Sequence, residues 1–143
     1  MNKAKLIKRL QEEEGLVLKP YRCSQGYLTI GYGRNLEAKG ISSSEACMML
    51  ANDLSEAIHN CERHILYFRA LPDNVQEVLV DMCFNLGIWG LLQFKRMLKA
   101  ISLQDYETAK KEMLDSKYAK QVPSRARRNA ELLKNQYASS GLP

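Results

Sequence analysis

Residues suited to acid–base or nucleophilic chemistry are concentrated near the start of this chain of 143 residues. Cys23 follows Glu14 after nine residues, and Thr29 follows Cys23 after six. A carboxyl group can deliver a proton, an ionised thiol can attack an electrophile, and a hydroxyl can position water. Glycine-rich turns around Thr29 would let a polymer approach the backbone closely. Such spacing alone is also typical of solvated helix ends, so it defines candidates and not a function.

Glu14 is expected at the end of a first helix. The apolar residues of positions 4–14 recur at helical spacing, with Asn2 as the N-cap and Gly15 just past the C-terminus. The following segment, 16–34, is rich in glycine, tyrosine and threonine, and predicts short strands joined by tight turns.

From Ser42 onward the sequence predicts helices. Ser42 and Glu45 have capping-box spacing, Gly87 is expected to end a helix that follows Pro72, and Pro123 suits the first turn of a last helix. The side chains expected to face the core include Cys47, Leu50, Leu54, Ile58, Cys61, Ile65, Val75, Val78, Leu79, Met82, Leu86, Trp89, Phe94, Met97, Leu98, Ile101, Tyr106, Ala109, Met113, Leu114, Ala126, Ala130, Leu133 and Tyr137.

The predicted fold class is α+β. We expect one domain over residues 1–143, with a small β-containing lobe at about 15–45. A larger helical lobe would consist of residues 1–14 and 46–143.

A net charge of +5 favours anionic partners such as nucleic acid, anionic lipid or acidic cell wall. The basic residues are spread along amphipathic helices, and no motif that reads a nucleic-acid groove supports nucleic-acid binding. No apolar run approaches the roughly 20 residues that span a bilayer, so stable membrane insertion is not expected. Charged Lys8 and Arg9 interrupt the N-terminal segment, which argues against an export signal and for a cytoplasmic location.

The four cysteines are expected to be reduced in that location. Cys47 and Cys61, if they share a helix, are about 21 Å apart at ~1.5 Å per residue, too far to bridge. With Cys83 they are predicted to be small core residues. The chain has no Cys-x-x-Cys, and His59 and His64 lack zinc-motif spacing, so we expect neither a metal nor an organic cofactor.

The segment Glu14–Gly33 resembles the signature of the phage lysozyme family. It contains Glu-Gly-Leu-x-Leu-Lys-x-Tyr followed by Gly-Tyr-x-Thr-Ile-Gly-Tyr-Gly. The resemblance continues in residues 41–46, 81–87 and 122–128, which are similar to the start of the family's inter-lobe helix, its buried central helix and its final helix. It therefore covers essentially the whole chain and implies a lysozyme-like fold.

The resemblance implies hydrolysis of the β-1,4 bond between N-acetylmuramic acid and N-acetylglucosamine in peptidoglycan. Glu14 would protonate the leaving oxygen, because an oxocarbenium-like transition state needs that proton as the bond breaks. To keep its proton near neutral pH, the carboxyl would need burial in a closed cleft. The other residues carried over are Thr29 to position water or the nucleophile, and Arg125, with Arg128 as a second candidate, to orient Glu14. From the residues themselves, Asn85 either contacts substrate or packs a helix end, and Tyr32 is a candidate to stack on a sugar.

Cys23 departs from the family pattern, which usually has aspartate at this position. A free thiol is mostly protonated at neutral pH, but Lys19, Arg22 and Arg34 would favour the thiolate if they fold nearby. Such a thiolate would either attack the anomeric carbon, with retention of configuration, or stabilise positive charge beside it. The alternative is a purely structural role, in which Cys23 only fills space and the protein keeps reduced activity through Glu14 and Thr29.

The chain also has a shorter connection between Gly33 and Ile41 than the family usually has. This predicts a trimmed small lobe and an open cleft. Family position further suggests an ion pair between Arg34 and Asp53.

Several other functions remain open at this stage. A lytic transglycosylase would use Glu14 without a second residue to handle water, and a catalytically weakened relative would only bind peptidoglycan. A basic nucleic-acid binder, or a cysteine peptidase pairing Cys23 with His59 or His64, would belong to a different class. For an endolysin, the resemblance implies a monomer that is made in the host cytoplasm. It would reach the periplasmic wall after a holin permeabilises the membrane.

Overall fold

A computed structural model describes residues 1–135 of the chain. It contains two compact units, Met1–Met49 and Leu50–Pro143. The first carries a small antiparallel sheet and the second is helical, so the predicted α+β class is confirmed. The first helix belongs to the unit that carries the sheet, unlike the expected lobe boundary. The single-domain assignment remains a prediction.

The first helix, α1, runs from Lys3 to Glu14. The Asn2 side chain accepts a hydrogen bond of 3.0 Å from the backbone N–H of Lys5, which caps the N-terminus. Gly15 adopts φ 71° and donates its N–H to the carbonyl of Gln11, which ends the helix. Both predicted ends are confirmed, and Glu14 is the last helical residue.

Three short strands follow α1 and form an antiparallel sheet in the order β1-β2-β3. They are β1 (Val17–Arg22), β2 (Leu28–Gly31) and β3 (Arg34–Asn35). Thr29 pairs with Tyr21 on one side and with Asn35 on the other, which places it in the central strand. The prediction of strands and tight turns in this segment is therefore confirmed.

The connection to the long helix contains a short helix, α2 (Leu36–Lys39), that the sequence analysis did not predict. Arg34 donates from Nη1 and Nη2 to the two carboxylate oxygens of Glu45, at 3.0 and 2.9 Å. Within its own unit the Arg34 guanidinium is thus held by Glu45, and the expected Arg34–Asp53 pair stays a prediction.

The long helix α3 spans Ser43–His64. Its capping box is confirmed, since Ser42 Oγ accepts from the Glu45 N–H and a Glu45 oxygen accepts from the Ser42 N–H. The predicted apolar stripe is buried only toward its end, at Cys61 and the following Ile65. Helical periodicity located an apolar face but not the depth of its burial, and the core prediction is wrong for the exposed residues Cys47, Leu50, Leu54 and Ile58.

The second unit packs the remaining helices around one core. They are α4 (Asp73–Leu92), α5 (Lys95–Ser102), α6 (Tyr106–Leu114), α7 (Lys117–Gln121) and α8 (Pro123–Leu132), preceded by a 3-10 turn at Phe68–Ala70. Pro123 occupies the first turn of α8, as predicted. Leu114 is exposed, contrary to expectation. Tyr137, expected in the last helix, lies outside the described residues.

The helix α4 breaks at Gly87, where φ is 75° and ψ is 164°. The break was predicted, but helical structure resumes and continues to Leu92. Beyond it Ile88 and Leu91 face the core, whereas Trp89 is 67% exposed and meets the ring of His64 edge-on at 5.1 Å. The expectation that Trp89 is a core residue is therefore wrong, because the break changes which side chains face inward.

Within the described chain, α4 is also long and apolar enough to cross a membrane by length and composition alone. Eight of its side chains are buried in the core of the second unit. Its Asp81 pairs with Arg125 of α8. These contacts are typical of a core helix.

Candidate active site

Glu14 lies at the end of α1, with its carboxylate against the turn between β2 and β3. A Cβ atom built on Gly33 would be 2.5 Å from Oε2 and 3.0 Å from Cδ of Glu14. Gly33 itself has φ +72°, a conformation that glycine adopts without the steric cost of a side chain. Glu14 is exposed, so the other residues of the first unit do not bury its carboxyl as was expected.

Tyr32 connects the same turn to α1. Its hydroxyl accepts a hydrogen bond of 3.3 Å from Nε2 of Gln11. Tyr32 is 45% exposed. The predicted contact between Tyr32 and substrate remains a prediction, and the structure adds a contact within the protein.

Cys23 begins the loop that joins β1 to β2. Its N–H donates to the Tyr27 carbonyl at 3.0 Å, and its carbonyl accepts from the Gly26 N–H at 2.8 Å. These two bonds close a tight turn between β1 and β2 that starts at Cys23.

The loop lowers the pKa of the Cys23 thiol. The N–H of Gln25 contributes most, followed by that of Tyr27, while partial burial opposes the shift. The Thr29 hydroxyl and the Gly26 N–H also lower the pKa, by smaller amounts. Each favours the thiolate because it donates a hydrogen bond to negative sulfur. These groups favour the thiolate at the position where the family usually has aspartate.

The three cations expected to favour the thiolate are not its cause. Arg22 donates to Glu37 at 3.1 Å and to the Gly26 carbonyl at 3.0 Å, and Arg34 is held by Glu45. Lys19 also makes no contribution to the lowered pKa of Cys23. The thiolate of Cys23 is favoured by backbone N–H groups and not by charged side chains. Residue types alone do not reveal where backbone N–H groups point.

Thr29 is almost fully buried, with 4% of its surface exposed. Its hydroxyl donates to the Tyr27 carbonyl at 2.8 Å, and it is one of the groups that lower the pKa of Cys23. A hydroxyl has a single proton, so this group can serve one acceptor at a time. It can turn toward sulfur when the thiol ionises.

Arg125 and Asn85, the other two predicted site residues, lie in the second unit. Asn85 is exposed on α4. Arg125 lines a cavity of about 800 Å³ and donates to both oxygens of Asp81. Asn129 donates to Asp81 at 2.7 Å, and this buried amide was not identified from the sequence. The roles of Arg125 toward Glu14 and of Asn85 toward substrate remain predictions.

The structure thus collects four predicted residues, Glu14, Cys23, Thr29 and Tyr32, around the sheet of the first unit. Gly33 was not selected as a site residue, although its place in the glycine-rich motif was a usable signal. In residues 1–135 no group of three or more His, Cys, Asp or Glu side chains converges as metal ligands would.

A model of the phage lysozyme family matches residues 11–131, which is most of the chain. The chain belongs to the phage lysozyme family. The matched region contains all six predicted site residues. Membership in this family indicates glycoside hydrolase activity of the lysozyme type.

Individual relatives agree with this assignment. The chain is 30% identical to a probable T4-type lysozyme 1 of Dictyostelium discoideum, with 83% of this chain and 87% of that protein covered. It is 31% identical to an endolysin of Acyrthosiphon pisum secondary endosymbiont phage 1, over 80% and 77% of the two chains. It is also 28% identical to the pre-baseplate central spike protein Gp5 of Enterobacteria phage T4, but spans only 26% of that protein.

Proposed function

We propose that this phage lysozyme family member is an N-acetylmuramidase. It would hydrolyse the β-1,4 bond between N-acetylmuramic acid and N-acetylglucosamine in bacterial peptidoglycan. The observation that carries this proposal is the placement of two candidate groups in one unit. The Glu14 carboxylate lies against Gly33, and Cys23 begins the tight loop between β1 and β2, which lowers the pKa of its thiol. One acid and one anion are the two groups that glycoside hydrolysis uses.

Glu14 is the proton donor in this mechanism. As the glycosidic bond lengthens, positive charge develops on the anomeric carbon and negative charge on the leaving oxygen. A proton delivered from Glu14 neutralises that oxygen and lets the sugar leave. A glycan chain bound over the exposed carboxyl would enclose it.

Cys23 supplies the negative charge on the other side of the reaction. Its thiolate would attack the anomeric carbon to form a thioglycosyl intermediate, or would stabilise the positive charge there without bonding. The covalent route gives retention of configuration, because water then displaces sulfur from the opposite face. The anomeric form of the first product distinguishes retention from inversion.

Thr29 serves the thiolate in this scheme. While Cys23 is a thiol, the hydroxyl proton points to the Tyr27 carbonyl. When Cys23 is a thiolate, the hydroxyl can donate to sulfur in the covalent route, or hold the attacking water on the Cys23 side in the route without a covalent bond. Its near-complete burial keeps the hydroxyl in one place, and fixed geometry is what such positioning requires.

The decisive experiment is digestion of purified peptidoglycan by the wild-type protein, Glu14→Gln and Glu12→Gln. Glu12 is an exposed carboxylate two residues earlier on the same helix, so its variant controls for the loss of one charge. We expect reducing N-acetylmuramic ends from the wild type and Glu12→Gln. Glu14→Gln should be at least ~100-fold slower, in line with the usual contribution of general acid catalysis.

Other products would contradict the proposal. Ends of the 1,6-anhydro type would make the protein a lytic transglycosylase. Binding to peptidoglycan without any released fragment would make it a wall-binding relative that has lost catalysis. Equal rates for the wild type and Glu14→Gln would remove Glu14 from the mechanism.

We further propose that the protein acts as a monomeric endolysin that lyses a bacterial host. This is supported by its similarity to a phage endolysin. It would accumulate in the cytoplasm and reach the periplasmic peptidoglycan once a holin opens the inner membrane. Expression in bacteria should therefore cause lysis only together with a membrane-permeabilising protein, and light scattering of the purified protein should give one chain per particle.

A further inference from the structure

The last turn of α1 contacts the turn between β2 and β3 at two neighbouring points. The Glu14 carboxylate lies over Gly33, and the Gln11 side chain donates to the hydroxyl of Tyr32. Gln11 and Glu14 are three residues apart and so lie side by side on the helix surface. Tyr32 and Gly33 are adjacent in the turn.

We infer that the Tyr32–Gly33 turn is the device that positions the Glu14 carboxyl for proton transfer. This inference rests on the proposed role of Glu14 as the acid. Gly33 positions the carboxyl because it has no side chain that would push Glu14 away. Tyr32 also has a role within the protein, in addition to the predicted contact with substrate.

A side chain at residue 33 would collide with the Glu14 carboxylate. A Cβ atom on Gly33 would be 2.5 Å from Oε2 of Glu14, closer than real Cβ contacts allow. The contact is with the end of a flexible side chain, so the carboxylate would swing away while the backbone stayed in place. A methyl group at residue 33 would therefore displace the acid without unfolding its surroundings.

Gln11 connects the end of α1 to the same turn by hydrogen bonds. Gln11 accepts the N–H of Gly15 through its carbonyl and donates to Tyr32 through its side chain. It therefore links the C-terminal end of α1 to the turn against which Glu14 lies. Loss of the Tyr32 hydroxyl would loosen that link while leaving Gly33 unchanged.

The chain offers a matched control for Gly33. Gly31 has φ +71°, almost equal to the +72° of Gly33, but a Cβ atom there would meet nothing within 4 Å. Alanine at either position would have to adopt nearly the same positive φ. Only alanine at residue 33 would also contact Glu14.

The experiment compares Gly33→Ala with Gly31→Ala in melting temperature and in peptidoglycan hydrolysis. We expect similar decreases in melting temperature. We expect kcat to fall about 100-fold for Gly33→Ala, the usual effect of ~1 Å misplacement of a reacting group, with KM within about twofold. Gly31→Ala should keep kcat within about threefold. Tyr32→Phe, which removes the hydroxyl that accepts from Gln11 but keeps the ring, should lose a few-fold in kcat.

Equal kcat values for the two alanine variants would overturn the inference, because strain alone would then explain both. A loss in Gly33→Ala that appears in KM and not in kcat would also overturn it, since a displaced acid does not weaken substrate binding. Failure of the proposed function looks different. In that case the wild type would release no reducing muramic ends, or would be as fast as Glu14→Gln.

Discussion

Arg125 holds Asp81 through two parallel hydrogen bonds, from Nε and Nη2 to the two carboxylate oxygens, each 2.9 Å long. Asn129 donates to the same carboxylate and to the hydroxyl of Tyr118. Partial burial raises the pKa of Asp81, but the hydrogen bonds from Arg125 and Asn129 outweigh it and leave the pKa below its usual value. Arg125, which the family resemblance assigns to orient Glu14, therefore has a fixed partner, Asp81, within the second unit.

Replacing Asp81 with asparagine should destabilise the protein by about 1–2 kcal/mol. Hydrogen bonds to a charged group contribute ~1.5–3 kcal/mol when buried, and solvent screening reduces that figure for this half-exposed pair. Denaturant unfolding gives the free energy. Glu107→Gln, which breaks the exposed Lys110 pair on α6, should cost less than ~0.5 kcal/mol. Equal losses in the two variants would contradict the special role of Asp81.

Glu45 should make stability depend on pH in the acid range. Hydrogen bonding to Arg34, followed by hydrogen bonds from Ser42, lowers the pKa of Glu45 from 4.5 to about 2. A carboxyl with a depressed pKa stabilises the folded state above its unfolded value and loses that contribution as pH falls through the folded value. The stabilising effect is therefore complete above about pH 4.5 and lost toward pH 2.

The check is the difference in melting temperature between the wild type and Glu45→Gln. Glutamine keeps the capping geometry of α3 but cannot form the ion pair with Arg34. The wild type should melt higher near neutral pH, and the two curves should converge as pH approaches 2. A difference that stays constant from pH 6 to pH 2 would show that the ion pair does not carry the effect.

The elements that position the site follow from local sequence. Asn2 and Gly15 fix the ends of α1, and the Ser42–Glu45 capping box fixes the start of α3. These signals work because each satisfies backbone groups within a few residues of itself. Burial depends on distant elements, and here periodicity failed. Leu54 of α3 is exposed although it lies on the predicted apolar face.

Some features of the candidate site could likewise be predicted from the sequence, and others could not. The identities of Glu14, Cys23 and Thr29 could be proposed from motif spacing, because spacing fixes which side chains the loops present. The cause of the thiolate preference could not, because backbone N–H groups have no signature in residue type. The ring of Trp89 was misplaced for a related reason, since the backbone break at Gly87 alters which face of the chain points inward.

The four cysteines should differ sharply in reactivity. Burial raises the pKa of Cys61 to about 12 and also raises that of Cys83, so both should resist alkylation in the native protein. Cys47 is exposed and should react. Mass spectrometry after brief iodoacetamide treatment would locate the label, and labelling of Cys61 at the same rate as Cys23 would contradict this assignment.

A Cys47→Ser background isolates the Cys23 thiol. Alkylation rate against pH should then give a midpoint below the ~8.5 of a free cysteine, since the loop lowers the pKa of Cys23. Thr29→Val removes one hydrogen-bond donor at nearly constant volume and should move the midpoint upward. A midpoint at or above ~8.5 in the Cys47→Ser protein would show that the loop does not favour the thiolate.

Substitution of Cys23 itself tests whether an anion is what this position requires. Aspartate, ionised at neutral pH, would place its negative charge among the N–H groups of Gln25 and Tyr27 and should keep peptidoglycan hydrolysis within about tenfold. Serine is nearly the size of cysteine but stays neutral, and should lose at least ~100-fold, as is common when a catalytic side chain is removed. Cys47→Ser controls for loss of a thiol elsewhere. Full activity in Cys23→Ser would mean that Cys23 only fills space, and that Glu14 and Thr29 act without a charged partner.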